Sequence, residues 1–173
     1  EQRGKTVNRQ ITTINKMKYI STRQKQATNI KTAILKGLAD DGGLFMPEYI
    51  PQLDSEFFEN LPNLTLQEIG FRVAKEFLGE SISDDNLKEI IDEVLNFEIP
   101  AVKISENIYS LELFHGPTMA FKDVGARFMA RMMSYFSGGK PMKVIAATSG
   151  DTGSAVASGF FGVSGIEVYI LYP

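Results

Sequence analysis

The sequence contains no cysteine and only one histidine, His115. Without cysteine there is no disulfide framework, no thiolate nucleophile and no thiolate-bound metal. A lone histidine excludes a His-rich metal centre and any mechanism that needs two imidazoles, so no metal site is expected. Charge of one sign is scarce as well. Eighteen Lys and Arg stand against 21 Asp and Glu, a formal net of −3. Nothing in that balance favours nucleic acid or an anionic membrane surface as a partner. No apolar run approaches the roughly 20 residues of a membrane-spanning helix. The missing cysteines fit a reducing compartment, and a cytoplasmic location is expected.

What is present is the composition of an ordinary globular protein, 43% hydrophobic and 23% charged over 173 residues. That length supports a sizeable core. Residues 1–16 stand apart from the rest. Arg3, Lys5, Arg9 and Lys16 against Glu1 give +3, which leaves −6 for residues 17–173 (−3 minus +3). The segment is polar with little apolar periodicity, and it is expected to be a tag-like or upstream extension, disordered. A targeting peptide is the weaker reading, because the amphipathic pattern is poor.

Residues 29–38 set Ile30, Ala33, Ile34 and Leu38 on one helical face, with Thr28 or Asn29 as cap. Asp40-Asp41-Gly42-Gly43 reads as a turn and 44–47 as an apolar loop. Thr65 and Glu68 have the spacing of a capping box, opening a helix whose inward side is expected to be Ile69, Val73, Phe77 and Leu78. Ser83 caps a further helix with Leu87, Ile90, Ile91, Val94 and Leu95 as its buried stripe. Residues 17–100 therefore read as a mainly helical domain. Strands follow at 101–104 and 109–114, then a helix at 123–136, a strand at 143–147, a helix at 152–161 and a strand at 166–171. Strand, helix, strand over about thirty residues is a parallel βαβ unit. The fold class is thus α/β, a mainly helical region followed by the start of a parallel domain at 101–173. One such unit does not make a covered sheet, so this domain is expected to be incomplete here.

Two motifs carry chemistry. In Phe114-His115-Gly116-Pro117-Thr118-Met119-Ala120-Phe121-Lys122-Asp123, one lysine lies between a Gly-Pro turn and a helix start. Burial and a helix N-terminus both disfavour its ammonium form, which makes it a candidate imine-forming amine. Phe114, Met119, Ala120 and Phe121 are expected to supply the apolar surroundings. The plain alternative is a surface lysine opposite Asp123. In Thr148-Ser149-Gly150-Asp151-Thr152-Gly153, a hydroxyl- and glycine-rich loop follows a strand and opens a helix. Its free N–H groups suit a carboxylate or phosphate, and Gly150 and Gly153 would let a ligand approach the main chain. The plain alternative is a helix cap made by Asp151 or Thr152. The glycine spacing fits neither a Walker loop nor a dinucleotide fingerprint. His115 reads as an acid–base group or, preferably, as a structural or ligand-orienting one. Asp123 and Arg127, one turn apart, are expected to pair. A reactive amine beside an anion-cradling loop is what Schiff-base chemistry on an amino acid needs.

With both motifs in view, the chain resembles the N-terminal part of bacterial threonine synthases. Asp41-Gly42-Gly43-Leu44-Phe45-Met46-Pro47, the segment 111–123 and Ala147-Thr148-Ser149-Gly150-Asp151-Thr152-Gly153 carry the likeness, which runs from about Met17 to Pro173. The Phe-Lys-Asp core is shared across fold type II pyridoxal-phosphate enzymes, the tryptophan-synthase-β-like class. The His-Gly-Pro-Thr prefix and the Ser-Gly-Asp-Thr-Gly loop narrow it to threonine synthases and close relatives. The resemblance implies pyridoxal 5′-phosphate as cofactor, bound at Lys122, the catalytic residue, with Asp151 facing the cofactor. It implies Ser149, Gly150, Asp151 and Thr152 as the substrate-carboxylate loop, with Thr118 and His115 as further substrate contacts. The implied reaction is O-phospho-L-homoserine plus water to L-threonine plus phosphate, a β,γ-elimination and replacement in threonine biosynthesis. The cofactor-phosphate loop and the group at the pyridine nitrogen belong to family sequence beyond residue 173, so these 173 residues alone are expected to be inactive. A phospho-lyase relative, a serine/threonine dehydratase and a non-catalytic interaction module are the competing readings.

Overall fold

A computed structural model of the chain describes residues 17–24 and 26–172. The extension expected at 1–16 lies outside them. Helix α1 (Ile30–Lys36) starts where Asn29 accepts a hydrogen bond from the Thr32 amide, 2.9 Å. It stops at Gly37, whose φ of 72° suits only a residue without Cβ. Leu38 therefore falls outside the helix and is exposed, instead of closing its apolar face.

Residues 44–47 are not a loop. Strand β1 (Tyr19–Ser21) pairs antiparallel with both β2 (Ala27–Thr28) and β3 (Phe45–Pro47). The pairing needs the Asp41-Gly42-Gly43 turn. Asp41 accepts bonds from Ser21 Oγ, the Gln24 amide and the Gly43 amide, 2.7–2.8 Å. These bonds, Ser21's first, hold its carboxyl below the usual aspartate range. A Cβ at Gly43 would collide with Ser21 Oγ. The strand was illegible in sequence because its partner lies more than twenty residues upstream.

Helix α2 (Ser55–Asn60) is capped by Asp54, and α3 (Leu66–Leu78) opens with the expected capping box. Thr65 Oγ1 accepts from the Glu68 amide, and Glu68 accepts from the Thr65 amide. The inward face of α3 differs from expectation. Leu66, Phe71, Ala74 and Leu78 pack on the core, while Val73 is exposed. Gly70 decides the rotation. A Cβ there would stand 2.8 Å from Leu95 and 3.3 Å from Ile91, so α4 (Asp84–Val94) settles onto the glycine. Helix α4 is capped by Ser83 and buries Leu87, Ile90, Ile91 and Val94, with Leu95 just beyond it.

Strands β4 (Ala101–Ser105) and β5 (Ile108–Leu111) form an antiparallel hairpin. Helix α5 (Lys122–Ser137) then sends Met132 and Phe136 into the same core as Leu87 and Val94, with Val124 and Phe128 beside them. The core thus spans residue 100, the expected domain boundary. Strands β6 (Met142–Ala147) and β7 (Ile166–Leu171) are parallel, with Val144 opposite Val168, and α6 (Asp151–Phe160) connects them. Helix α6 contacts the Ala146/Ile170 face, where Gly153 abuts Ile170. The opposite row, Ile145, Tyr169 and Leu171, is exposed. No helix among the described residues is long and apolar enough to cross a membrane.

An arginine clamp ties α5 to α4 and α6. Arg131 donates to the Gly159 carbonyl, 2.6 Å, and pairs with Glu93 of α4. Gly159 permits the crossing, since a Cβ there would meet the Ala126 and Arg127 backbone at 3.0 Å. The Arg131 hydrogen bond holds the Glu93 carboxyl below the ordinary glutamate range. A depressed folded pKa contributes stability that is complete above the unfolded value, about 4.3 for glutamate, and is lost as pH falls through the folded value. In Arg131→Met the acid-side loss of stability attributable to Glu93 disappears. Unfolding midpoints compared at pH 6 and across the acid limb check this, and parallel acid limbs in parent and variant would refute it.

Candidate active site

Strand β5 ends at Leu111, earlier than residue 114, and the chain from 112 to 121 becomes a series of turns. His115 Nε2 lies 2.7 Å from Glu112 Oε2, and its ring stacks on Phe114 at 4.8 Å between centroids. The Glu112 contact leaves Nδ1 as the uncommitted ring nitrogen. Next comes a tight turn in which the Met119 amide donates to the Gly116 carbonyl, 3.0 Å, and Met119 takes φ 56°. A positive φ at a non-glycine residue is strained backbone that its surroundings must hold in place.

Asp123 supplies that hold. Its Oδ2 accepts from the Thr118 amide, 2.9 Å, and its Oδ1 from Thr118 Oγ1, 2.5 Å. Its own amide donates to the Ala120 carbonyl, 3.0 Å. The residue is 1% exposed. The expected pairing of Asp123 with Arg127 is therefore not formed. Arg127 donates to the Glu93 carbonyl and lies over Phe97, 5.7 Å from the ring centroid. The carboxylate takes both Thr118 donors, and the Arg127 guanidinium is engaged at Glu93 instead.

Lys122, the first residue of α5, is half-buried, and its Nζ lies 4.3 Å from the Phe121 ring centroid. No carboxylate pairs with it among the described residues. The plain reading of a lysine opposite Asp123 loses its partner, since that carboxylate is turned inward. The expected apolar enclosure is incomplete. Ala120 is buried, but Phe114, Met119 and Phe121 are 52%, 78% and 62% exposed, so the amine faces an open surface.

The second motif follows β6. The Thr148 amide is the last to pair with β7, donating to the Leu171 carbonyl at 3.1 Å. Ser149, Gly150, Asp151 and Thr152 are all exposed. Helix α6 has no side-chain cap, so neither Asp151 nor Thr152 closes it. A Cβ at Gly150 would meet nothing within 4 Å, as a ligand approaching the main chain requires. Gly153 serves differently. It is buried, and a Cβ would stand 2.9 Å from Thr148 Cγ2 and 3.3 Å from Ile170, so its smallness lets α6 pack. Helices α5 and α6 pack on each other and bring Lys122 and this loop onto one body. A groove of about 550 Å³ lined by Asp54, Phe57, Phe71, Arg72 and Lys88, among others, includes none of these residues. The sequence reading missed Glu112 as the histidine's partner and the inward turn of Asp123. The i,i+3 spacing of Glu112 and His115 was the one available sign.

The comparisons with known proteins bear on the chain's family. Residues 18–95 match a family model described as the threonine synthase N terminus. Threonine synthase of Serratia marcescens is 40% identical over 141 residues, covering 82% of this chain and 33% of that protein. The Haemophilus influenzae enzyme is 41% identical over 149 residues, covering 86% and 35%. Among solved structures, threonine synthase from Escherichia coli superimposes with a TM-score of 0.84 at 35% identity over 91% of this chain and 37% of that one. A pyridoxal-phosphate-bound threonine synthase from Brucella melitensis gives 0.86 at 38% identity over 91% and 36%. The chain spans about a third of the length of the curated relatives it matches. The motifs, the fold and these likenesses agree, and the chain belongs to the threonine synthase family, as its N-terminal region.

Proposed function

We propose that the protein converts O-phospho-L-homoserine and water to L-threonine and phosphate, using pyridoxal 5′-phosphate, in the cytoplasm. The observation that carries this reading is the pairing of an uncommitted amine, Lys122, with an uncapped helix start at 149–152 on two helices that pack together. These residues fit the cofactor. An amine with no carboxylate partner is available to an aldehyde, and an open Gly150 beside free N–H groups accepts an anion. Lys122 would hold the cofactor, with Asp151 facing it. When bound, pyridoxal phosphate supplies an aldehyde for amine capture and a ring that stores the electron pair released at carbon.

The chain's own residues do the rest. The Lys122 amine, once displaced by the substrate's, carries protons at the substrate's Cα and Cβ. The α6 N-terminus and the Ser149 and Thr152 hydroxyls orient the substrate carboxylate. Thr118 Oγ1 spends its proton on Asp123, so toward substrate it acts only as an acceptor. His115, held by Glu112, presents Nδ1 as a ligand-orienting nitrogen.

Protein from the complete reading frame, incubated with cofactor and O-phospho-L-homoserine, tests the reading. Equimolar threonine and phosphate support it. Phosphate with 2-oxobutyrate in place of threonine would assign a phospho-lyase. Neither product would refute the substrate.

A further inference from the structure

We infer that Asp123 is a positioning residue for Lys122, acting through the turn at 116–120. The inference rests on the reading of Lys122 as the reactive amine. Asp123 is a carboxylate 1% exposed that, among the described residues, has no cationic partner within ion-pair distance. A buried carboxylate held by one hydroxyl and one amide, with the Arg127 guanidinium acting on it from one helical turn away, is costlier to bury than apolar residues would be. Its position in the first turn of α5, at the positive end of the helix dipole, offsets part of that cost.

The two bonds its side chain accepts and the one its amide donates all act on the segment that delivers Lys122. The side chain fastens both donors of Thr118, and the amide fastens Ala120. Between those two anchors lies Met119 at φ 56°, which the anchors hold in strain. Gly116 completes the fit. A Cβ there would lie 2.5 Å from Asp123 Oδ2 and 3.0 Å from the Phe97 ring, so glycine is what lets the carboxylate close on the turn. Lys122 is bonded directly to Asp123 and stands two residues after Ala120, so the closed turn fixes where its backbone enters α5. Its side chain makes none of these bonds and places Nζ 4.3 Å from the Phe121 ring centroid. The carboxylate thus fixes where the amine starts without touching what the amine reacts with.

Asparagine is the discriminating substitution. It keeps the size, but the carboxamide holds both contacts only if Thr118 Oγ1 reverses from donor to acceptor, and the two bonds to a carboxylate become neutral ones of roughly half the strength. In Asp123→Asn, made in protein from the complete reading frame, three readouts are expected. Hydrogen exchange at the Thr118 and Met119 amides speeds at least tenfold, while the Ile90 and Ile91 amides are unchanged. Reductive methylation of Lys122, mapped by mass spectrometry without cofactor, speeds at least threefold relative to Lys103 and Lys143. In turnover, kcat falls at least tenfold while KM moves less than threefold. Thr118→Val should reproduce the first two in weaker form. Unchanged exchange would overturn the inference, and so would faster exchange with Lys122 reactivity unchanged, because Asp123 would then be structural only. If the unsubstituted protein makes no threonine, the functional reading fails, and the exchange and methylation results still decide the role of Asp123.

Discussion

Lys122→Ala lowers threonine and phosphate formation together by about 10²–10⁴-fold, the range that a positioned proton carrier contributes. The expectation rests on the proposed function, and the structure makes the variant interpretable. Lys122 makes no ion pair among the described residues and is only half-buried, so removing its amine leaves no charge stranded. Alanine is the best helix former and sits at the first residue of α5, so the helix loses nothing intrinsic. Thermal unfolding should therefore match the parent within about 1 kcal/mol while turnover collapses. Product quantification by amino-acid analysis and phosphate assay checks it. A variant that keeps its rate to within tenfold would remove Lys122 from the chemistry.

The second large effect is on stability. Leu87 is 0% exposed at the centre of the cluster that α1, α3, α4 and α5 share. Leu87→Ala is expected to cost about 2–5 kcal/mol, the range for a buried leucine truncated where neighbours cannot fully collapse. Those neighbours, including Val94, Ile91 and Met132, come from helices held by the Arg131 clamp, which limits relaxation. Urea unfolding followed by circular dichroism reads it directly. Val73→Ala, on the exposed side of α3, is the control and is expected to change stability by less than about 1 kcal/mol. Equal losses in the two variants would mean that the core is misplaced.

What was legible in sequence was mostly local. Thr65 with Glu68, Asn29 with Thr32, and Ser83 with Asn86 are bonds between residues three apart, and each is in place. The stripe of α4 followed because five apolar residues at helical spacing leave one choice of face. The βαβ unit followed from two apolar runs flanking a helix, and β6 and β7 are parallel. Several of the misses turned on partners distant in sequence. Strand β3 exists because β1 accepts it, and the inward face of α3 depends on Leu95 and Ile91 reaching Gly70. The clamp joins Arg131 to a glutamate 38 residues away. At the site, the positions of Lys122 and the 148–153 loop were readable from glycine and hydroxyl spacing. The direction in which Asp123 turns was not, because it depends on two donors of a turn whose shape only the folded chain fixes.

The β6–β7 pair has a consequence for whatever lies beside it. Each strand is bonded on one side only among the described residues, so its outer edge carries a row of free amides and carbonyls at ladder spacing. An edge of this kind is a template. It dictates the register of an incoming strand, and through the pleat it dictates which of that strand's residues must be apolar. Alternate positions would meet the row of Ile145, Tyr169 and Leu171, and the intervening ones would meet the side that α6 already closes. Half of a neighbouring strand's pattern is thus written in residues 142–171 before that strand is met.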